Sequence, residues 1–356
     1  MRRLPLSHIT IADLTQAWAG TYATQLLGDL GAEVIKIESR SRLDPWRGAF
    51  KADRGIAAYP SDGPGERPYN RNYLHNSVNR NKFGITLDLA NEEGKKLFLG
   101  LVRKVDVVAE NFTPRVLPNF GLEYERLLAE NSALILLSMP AYGLEGPYSD
   151  YPGIGGTMEP MSGNTALLGE PGGRPHNSGV MYPDAVAGQH GAAAVVVALR
   201  RRSRTGEGSH MEIAQHETTM ALTAPFYVHK DWNAPVGNRD FAVEENFTAR
   251  NDDGSWEARA GEIGSPVRSM EQVVECEHLN ERGAFLEIEQ PEVGRQRMFG
   301  VTPRLSRTPG NVRLPAPGHG EHSRQVLSEM LGLDDRTIDR LEADGITGSG
   351  PPPGYE

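Results

Sequence analysis

Apolar and polar residues along the first 140 positions switch repeatedly between a two-residue and a three-to-four-residue period. Residues 8–14 (HITIADL) have strand spacing, 22–30 place apolar side chains on one helical face, and 33–38 (EVIKIE) return to strand spacing after the Gly31 stop signal. The same alternation predicts a strand at GITLDL, a helix over 91–104, a strand at DVVAEN, a helix over 123–131 and a strand at ALILLSM. Strands linked through helices become parallel neighbours, so the expected fold class is α/β, a parallel sheet with helices on its faces.

The rest of the chain is patterned less evenly. Residues 39–79 are rich in Pro, Gly and Arg and lack periodicity, a stretch too long for an ordinary connection. Its cations (Arg40, Arg42, Arg47, Lys51, Arg54, Arg67 and Arg71) suit either a solvated surface loop or contacts to a polyphosphate. A long Ala/Val-rich helix is predicted over 184–202, stopped by Gly206 and Gly208, with an acidic residue at its start and basic residues at its end. The polar stretch 235–264 reads as the boundary of a small second domain. A short strand and helix follow over 265–285, a strand pair over 285–305 and the last helices over 323–344. The tail GSGPPPGYE is expected to be disordered.

Composition narrows the function. The 356 residues carry 47 acidic and 37 basic side chains, a net charge of −10 that disfavours a nucleic-acid partner. The single cysteine, Cys276, has no partner for a disulfide or a zinc site and reads as a half-buried helix residue. The longest apolar stretch, 192–199, is far too short to span a bilayer, and the first residues do not resemble a signal peptide. The expectation is a soluble, cytoplasmic protein without membrane contact.

The common catalytic motifs are missing. The first strand-to-helix turn, TQAWAG, has one glycine where a dinucleotide fingerprint needs three, and neither a Walker A loop nor a GxSxG elbow occurs. His319 and His322 have a two-residue spacer but no further ligands nearby, and His216-Glu217 lacks the second histidine of HExxH, so no metal site is expected. Asp184 follows Pro183 and opens the long helix, where backbone N–H groups and the helix dipole favour an ionised carboxylate. By position alone it is either an ordinary N-cap or an available nucleophile.

The wording of the whole chain bears on that choice. IADLTQAWAGTYATQLLGDLGAEVIKIES, the block from NRNKFGITLDL to ALILLSM, SGVMYPDAVAGQHGAAAVVVALRRRSRTGEGSHMEIA, and the closing GSPVRSMEQVVECEHLNERGAFLEIE and PAPGHGEHSRQVLSEMLGL resemble the class III (CaiB/BaiF-type) CoA transferases. The resemblance implies a Rossmann-like large domain over 1–225 carrying a catalytic Asp184. It implies a reduced small domain over 226–300, a return to the large domain over 301–345, a disordered tail over 346–356 and an interlocked homodimer. The implied substrates are an acyl-CoA and a carboxylic acid, with no prosthetic group, and the implied reaction runs through anhydride and aspartyl-CoA thioester intermediates on Asp184. Carried over residue by residue, CoA contacts fall on Trp18, Ala19, Leu87, Asp88, Asn111, Phe112, Tyr142 and Gly143. Ser39, Asn119 and Pro140 stand where family members have basic contacts, leaving Arg40, Arg115 or Lys82 as substitutes.

Two alternatives accompany this expectation. Acyl-CoA racemases of the same superfamily pair the aspartate with a histidine after a glycine, where this chain reads PGIGGTME and Ile154 and Gly155 offer neither acid nor base. The chain is also shorter than family members between HMEIAQHE and GEIGSPV. That admits a subunit that needs a second CoA-transferase chain to complete its site.

Overall fold

The computed structural model describes residues 4–52, 57–168, 174–224, 246–251, 253–260 and 263–352. Six strands form one parallel sheet: β1 (Thr10–Asp13), β2 (Glu33–Glu38), β3 (Lys82–Thr86), β4 (Val107–Glu110), β5 (Ile135–Ser138) and β6 (Ser209–Glu212). Their order is β3-β2-β1-β4-β5-β6, with Ala12 in register between Ile35 and Val108 at the centre. The order reverses between β1 and β4, and the crevice outside the carboxyl ends of these strands is where such sheets take ligands.

Both faces of the sheet are buried, which is why β1, β4 and β5 are nearly continuous apolar runs. On one face Ile11, Val107, Ile135 and Leu137 pack against the opening helix Ala19–Asp29 and the long helix Tyr182–Thr205. Gly188 lets these two helices touch: a Cβ there would lie 2.8 Å from Ala19 O. On the other face Ala12, Val108 and Leu136 pack against the helices Glu92–Val102, Tyr124–Glu130, Ser323–Leu331 and Asp335–Ala343. The C-terminal helices thus share the core of the first half of the chain.

Several expectations are corrected. β3 begins at Lys82, two residues before the predicted strand, because Lys82 is fully buried and paired with Asp13 at 2.9 Å. The long helix starts at Tyr182 with Met181 as its N-cap residue, so Asp184 sits inside the first turn and does not cap it. Of the weakly patterned stretch 235–264, residues 235–245, 252, 261 and 262 lie outside the described set. Within the rest β7 (Asn246–Arg250) and β8 (Trp256–Ala260) join β9 (Ile263–Pro266) in an antiparallel sheet. The predicted helix after it is split into Met270–Val274 and Glu277–Glu281 at Cys276. A hairpin of β10 (Phe285–Gln290) and β11 (Gly294–Phe299) follows.

The described part of 39–79 is anchored in the core at several points and is not a wholly solvated loop. Arg47 is fully buried, bound to both oxygens of Glu38 and donating to Tyr69 O and Pro317 O. The tail is not disordered from residue 346 either. Thr86 Oγ1 donates to Gly348 O at 2.6 Å, Thr347 Oγ1 donates to Thr86 O at 2.7 Å, and Ile346 and Thr347 are buried. Residues 353–356 lie outside the described set.

Candidate active site

The turn after β1 is fixed from below by a buried network of charges. Asp13 accepts from Lys82 Nζ (2.9 Å), Thr24 Oγ1 (2.8 Å) and the Thr15 backbone (3.0 Å). Lys36 Nζ bridges Thr15 O and Asp44 Oδ2, and Asp44 Oδ1 accepts from Ala17 N at 3.0 Å. Asn111 clamps the same turn from the end of β4, accepting from Gln16 N at 2.7 Å and donating to Gln16 O at 2.9 Å. Ala17 is thereby held at φ 56°, a left-handed conformation that costs a non-glycine residue on the order of 1–2 kcal/mol. Two residues on, Ala19 opens the helix and presents its N–H to Asp184.

Asp184 lies at the other end of that N–H. Burial pushes its pKa up to about 6, while the backbone N–H groups of Ala19, Asp184 itself and Gly155 draw it back. Those N–H groups favour the anion without closing a hydrogen bond to Oδ2, which is sealed from solvent and left with unused acceptor capacity. Met181, directly before the helix, is a second left-handed non-glycine residue, with φ 52°. A side chain on Gly155 would overlap both Asp184 Oδ2 and Met181 Cβ.

Beside the switch point lies a cavity of about 400 Å³, walled by Leu14 and Gln16 after β1, Leu87 and Asp88 after β3, and Phe112 and Phe120 after β4. Ser39, Ser41 and Arg42 line it after β2, and Arg42 has no ion-pair partner among the described residues. Glu110 supports this wall: it accepts from Phe112 N at 2.7 Å, and burial pushes its pKa up to about 7. Glu110, Gln16 and Phe120 carry no motif that sequence reasoning could have used.

The structure therefore brings Leu87, Asp88 and Phe112, with Gln16, to one cavity and Ala19 to Asp184. Trp18 stacks at 5.5 Å on Trp46 beside this turn. Tyr142 is buried against His216, and Gly143 follows it at φ 94°. Other expected contacts are redirected. Asn111 is a clamp on the turn. Arg40 spends its guanidinium on the carbonyls of Glu342, Thr347, Gly350 and Pro351, and Lys82 is buried in the charge network. Arg115 is exposed on the helix start beside Val116 of the cavity wall. Arg67 and Arg71 are tied to Glu292, and Arg54 lies outside the described residues.

Among the described residues no group of three or more His, Cys, Asp or Glu could hold a metal ion, and no helix is long and apolar enough to cross a membrane. The profile of CoA-transferase family III matches residues 6–256 and 239–323. Among curated proteins, the chain is 28% identical over 404 aligned positions to the succinyl-CoA--D-citramalate CoA-transferase of Chloroflexus aurantiacus, covering 95% of this chain and 97% of that one. It is 36% identical over 223 positions to the succinate--glutarate CoA-transferase of Agrobacterium fabrum, covering 63% and 54%. It also resembles the alpha and beta subunits of the Chloroflexus aurantiacus succinyl-CoA--L-malate CoA-transferase, at 29% and 27% identity over 96% of the chain. A CAIB/BAIF family protein from Brucella suis has the same fold, with a TM-score of 0.79 at 24% identity over 92% of this chain and all of that one. With sheet order and family profile in agreement, this chain belongs to CoA-transferase family III and is a class III CoA transferase.

Proposed function

We propose that Asp184 is the nucleophile that moves CoA from an acyl-CoA donor to a carboxylic acid acceptor. The observation that carries this reading is a buried carboxyl with unused acceptor capacity, faced by the N–H groups of Ala19 and Gly155 and with no ion pair among the described residues. Asp184 attacks the thioester carbonyl, the C–S bond breaks, and CoA leaves as thiolate with a mixed anhydride behind it. The thiolate attacks the aspartyl carbonyl, and the donor carboxylate departs from an aspartyl-CoA thioester. The acceptor carboxylate displaces the thiolate from that thioester, and the thiolate then takes the acceptor's acyl group and frees Asp184. Each tetrahedral oxyanion needs positioned donors, a role assigned here to the N–H groups of Ala19 and Gly155.

In this reading the adenosine end of CoA occupies the 400 Å³ cavity between Leu87, Asp88 and Phe112, with Arg42 toward a phosphate. Pantetheine passes Gln16, Trp18 and Ala19 to reach Asp184. Tyr142 and Gly143 flank the acyl end, and Arg115 is left to the solvent side. The racemase alternative is disfavoured by the site itself, because Gly155 has no room for a side chain and Ile154 is an exposed apolar residue.

Succinyl-CoA is the donor to test first, because several of the relatives above carry succinyl-CoA in their names. A dimer is part of the proposal: Tyr148, Tyr151, Ile154, Tyr182 and Val197 are exposed apolar side chains near the site and along the long helix. Likeness to both subunits of a two-chain transferase keeps a hetero-oligomer as the second reading. The division into 1–225, 226–300 and 301–345 belongs to the same proposal. The test is Asp184→Ala, assayed for CoA exchange and for a hydroxylamine-trapped adduct on residue 184 in the presence of donor. Retained exchange with no adduct in the wild type would overturn the assignment, and native mass measurement decides the assembly.

A further inference from the structure

Glu159 is a buried carboxylate that the transfer chemistry above does not use. It lies on the helix Gly155–Met161, is 1% exposed, and forms no ion pair among the described residues. Burying an acid this deeply without a cation is costly unless neutral donors satisfy it. The two short ones come from one residue. Oε1 accepts from Ser178 N at 2.7 Å and Oε2 from Ser178 Oγ at 2.9 Å, with Asn164 Nδ2 at 3.4 Å from Oε1.

Ser178 begins the strap that leads into the nucleophile. Its Oγ accepts from Val180 N at 3.2 Å, Gly179 follows at φ 78°, and Met181 at φ 52° opens the long helix, with Asp184 N donating to Met181 O at 3.1 Å. A second latch lies one residue earlier, where Asn177 Nδ2 donates to Gly156 O at 3.0 Å. The strap is therefore pinned at two points to the helix whose first residue, Gly155, presents its N–H to Asp184. Nucleophile and donor belong to different elements, and the Glu159–Ser178 pair spans them.

We propose that Glu159 is a positioning residue for CoA transfer: by holding Ser178 through both carboxylate oxygens it sets the separation between Asp184 and the Gly155 N–H. The proposal rests on Asp184 being the nucleophile. Glutamine can accept from Ser178 N but presents an N–H where Ser178 Oγ now donates, so Glu159→Gln should disturb the strap with little loss of volume. Ser178→Ala removes the hydroxyl half of the same latch from the other side and leaves the buried acid one donor poorer, since the backbone N–H of residue 178 stays.

The test compares Glu159→Gln, Ser178→Ala and Asp184→Asn in the full chain, using succinyl-CoA as donor probe. It reads kcat for CoA exchange, the rate of hydroxylamine-trapped adduct formation at saturating donor, and the dissociation constant of free CoA. The expected result for the first two variants is a fall of about 10- to 100-fold in kcat and in trapping rate, with CoA affinity within about twofold of wild type. A kcat unchanged in both variants overturns the proposal. So does a loss of CoA affinity in step with kcat, which would make Glu159 a general support of the fold. Persistent exchange in Asp184→Asn would instead remove the nucleophile assignment, an outcome read independently of the other two variants.

Discussion

Gly155 and Asp184 Oδ2 are packed so closely that any side chain on the glycine would overlap the carboxyl oxygen. The glycine wall and the left-handed residues Ala17 and Met181 surround one acid with backbone, the arrangement that lets N–H groups approach a reacting carbonyl without a side chain between them.

Gly155→Ala is therefore expected to abolish transfer while the sheet and the CoA cavity survive. The methyl group must displace either the carboxyl or Met181, and misplacing reacting groups by about 1 Å costs on the order of 100-fold in rate. Measuring kcat alongside CoA binding checks this: wild-type kcat would show that the contact is slack.

Asp184 sets a pH dependence with a definite sign. Its pKa is about 6 when folded against an ordinary aspartate value of 3.8, so the folded chain holds the proton more tightly than the unfolded one. The stability this one group contributes is full below pH 3.8 and is lost as pH rises through 6, by about 3 kcal/mol once it is ionised. Asp184→Asn is expected to recover a stabilisation on the order of 2–3 kcal/mol at pH 7 and nearly none at pH 4, read from denaturant midpoints. Activity should move oppositely, with kcat/KM for the donor rising through pH 6 as the nucleophile ionises. A variant less stable than wild type at pH 7 would count against the buried-anion account.

Arg40 and Arg42, two residues apart in one unpatterned segment, are expected to behave differently. Arg42→Ala should raise KM for acyl-CoA by about tenfold, leave kcat alone and weaken the salt dependence of binding. Arg40→Ala strands four carbonyl acceptors along the C-terminal return and should cost on the order of 2–4 kcal/mol of stability with KM little changed. Exchange of these two phenotypes would place the phosphate on the tail side of Asp88.

That contrast shows what the sequence can and cannot carry. Period and stop signals made the parallel sheet legible, because β4 and β5 are mostly apolar runs and β2 alternates at strand spacing after the Gly31 stop. Resemblance, not pattern, singled out Asp184. Lys36, Lys82, Arg47 and Arg80 are fully buried, yet each reads as a surface cation until its distant partner is seen, and this hid the start of β3 and the order within 39–79. Glu159 was illegible for the same reason, since its donors lie across a turn on residue 178. The N-cap expectation for Asp184 failed because Tyr182 and Pro183 already sit in the helix, a start set by the left-handed Met181 that sequence does not announce.

The shortened middle of the chain bears on how well the site keeps water out. The 404 aligned positions with the citramalate enzyme exceed the 356 residues present, and the family profile matches in two pieces that meet at 239–256. Relatives thus carry residues with no counterpart here, in the stretch between β6 and β9. An anhydride or aspartyl thioester survives only while water is excluded. If the chain works as a homodimer, it is expected to hydrolyse acyl-CoA measurably without acceptor, and Asp184→Ala should remove that leak. If a second chain completes the cover, adding it should raise transfer and suppress hydrolysis together. Following free thiol and exchanged CoA ester in one assay separates these outcomes. Strict acceptor dependence with no hydrolysis by the isolated chain would mean that its own loops close the site, and that the missing length was never part of the barrier.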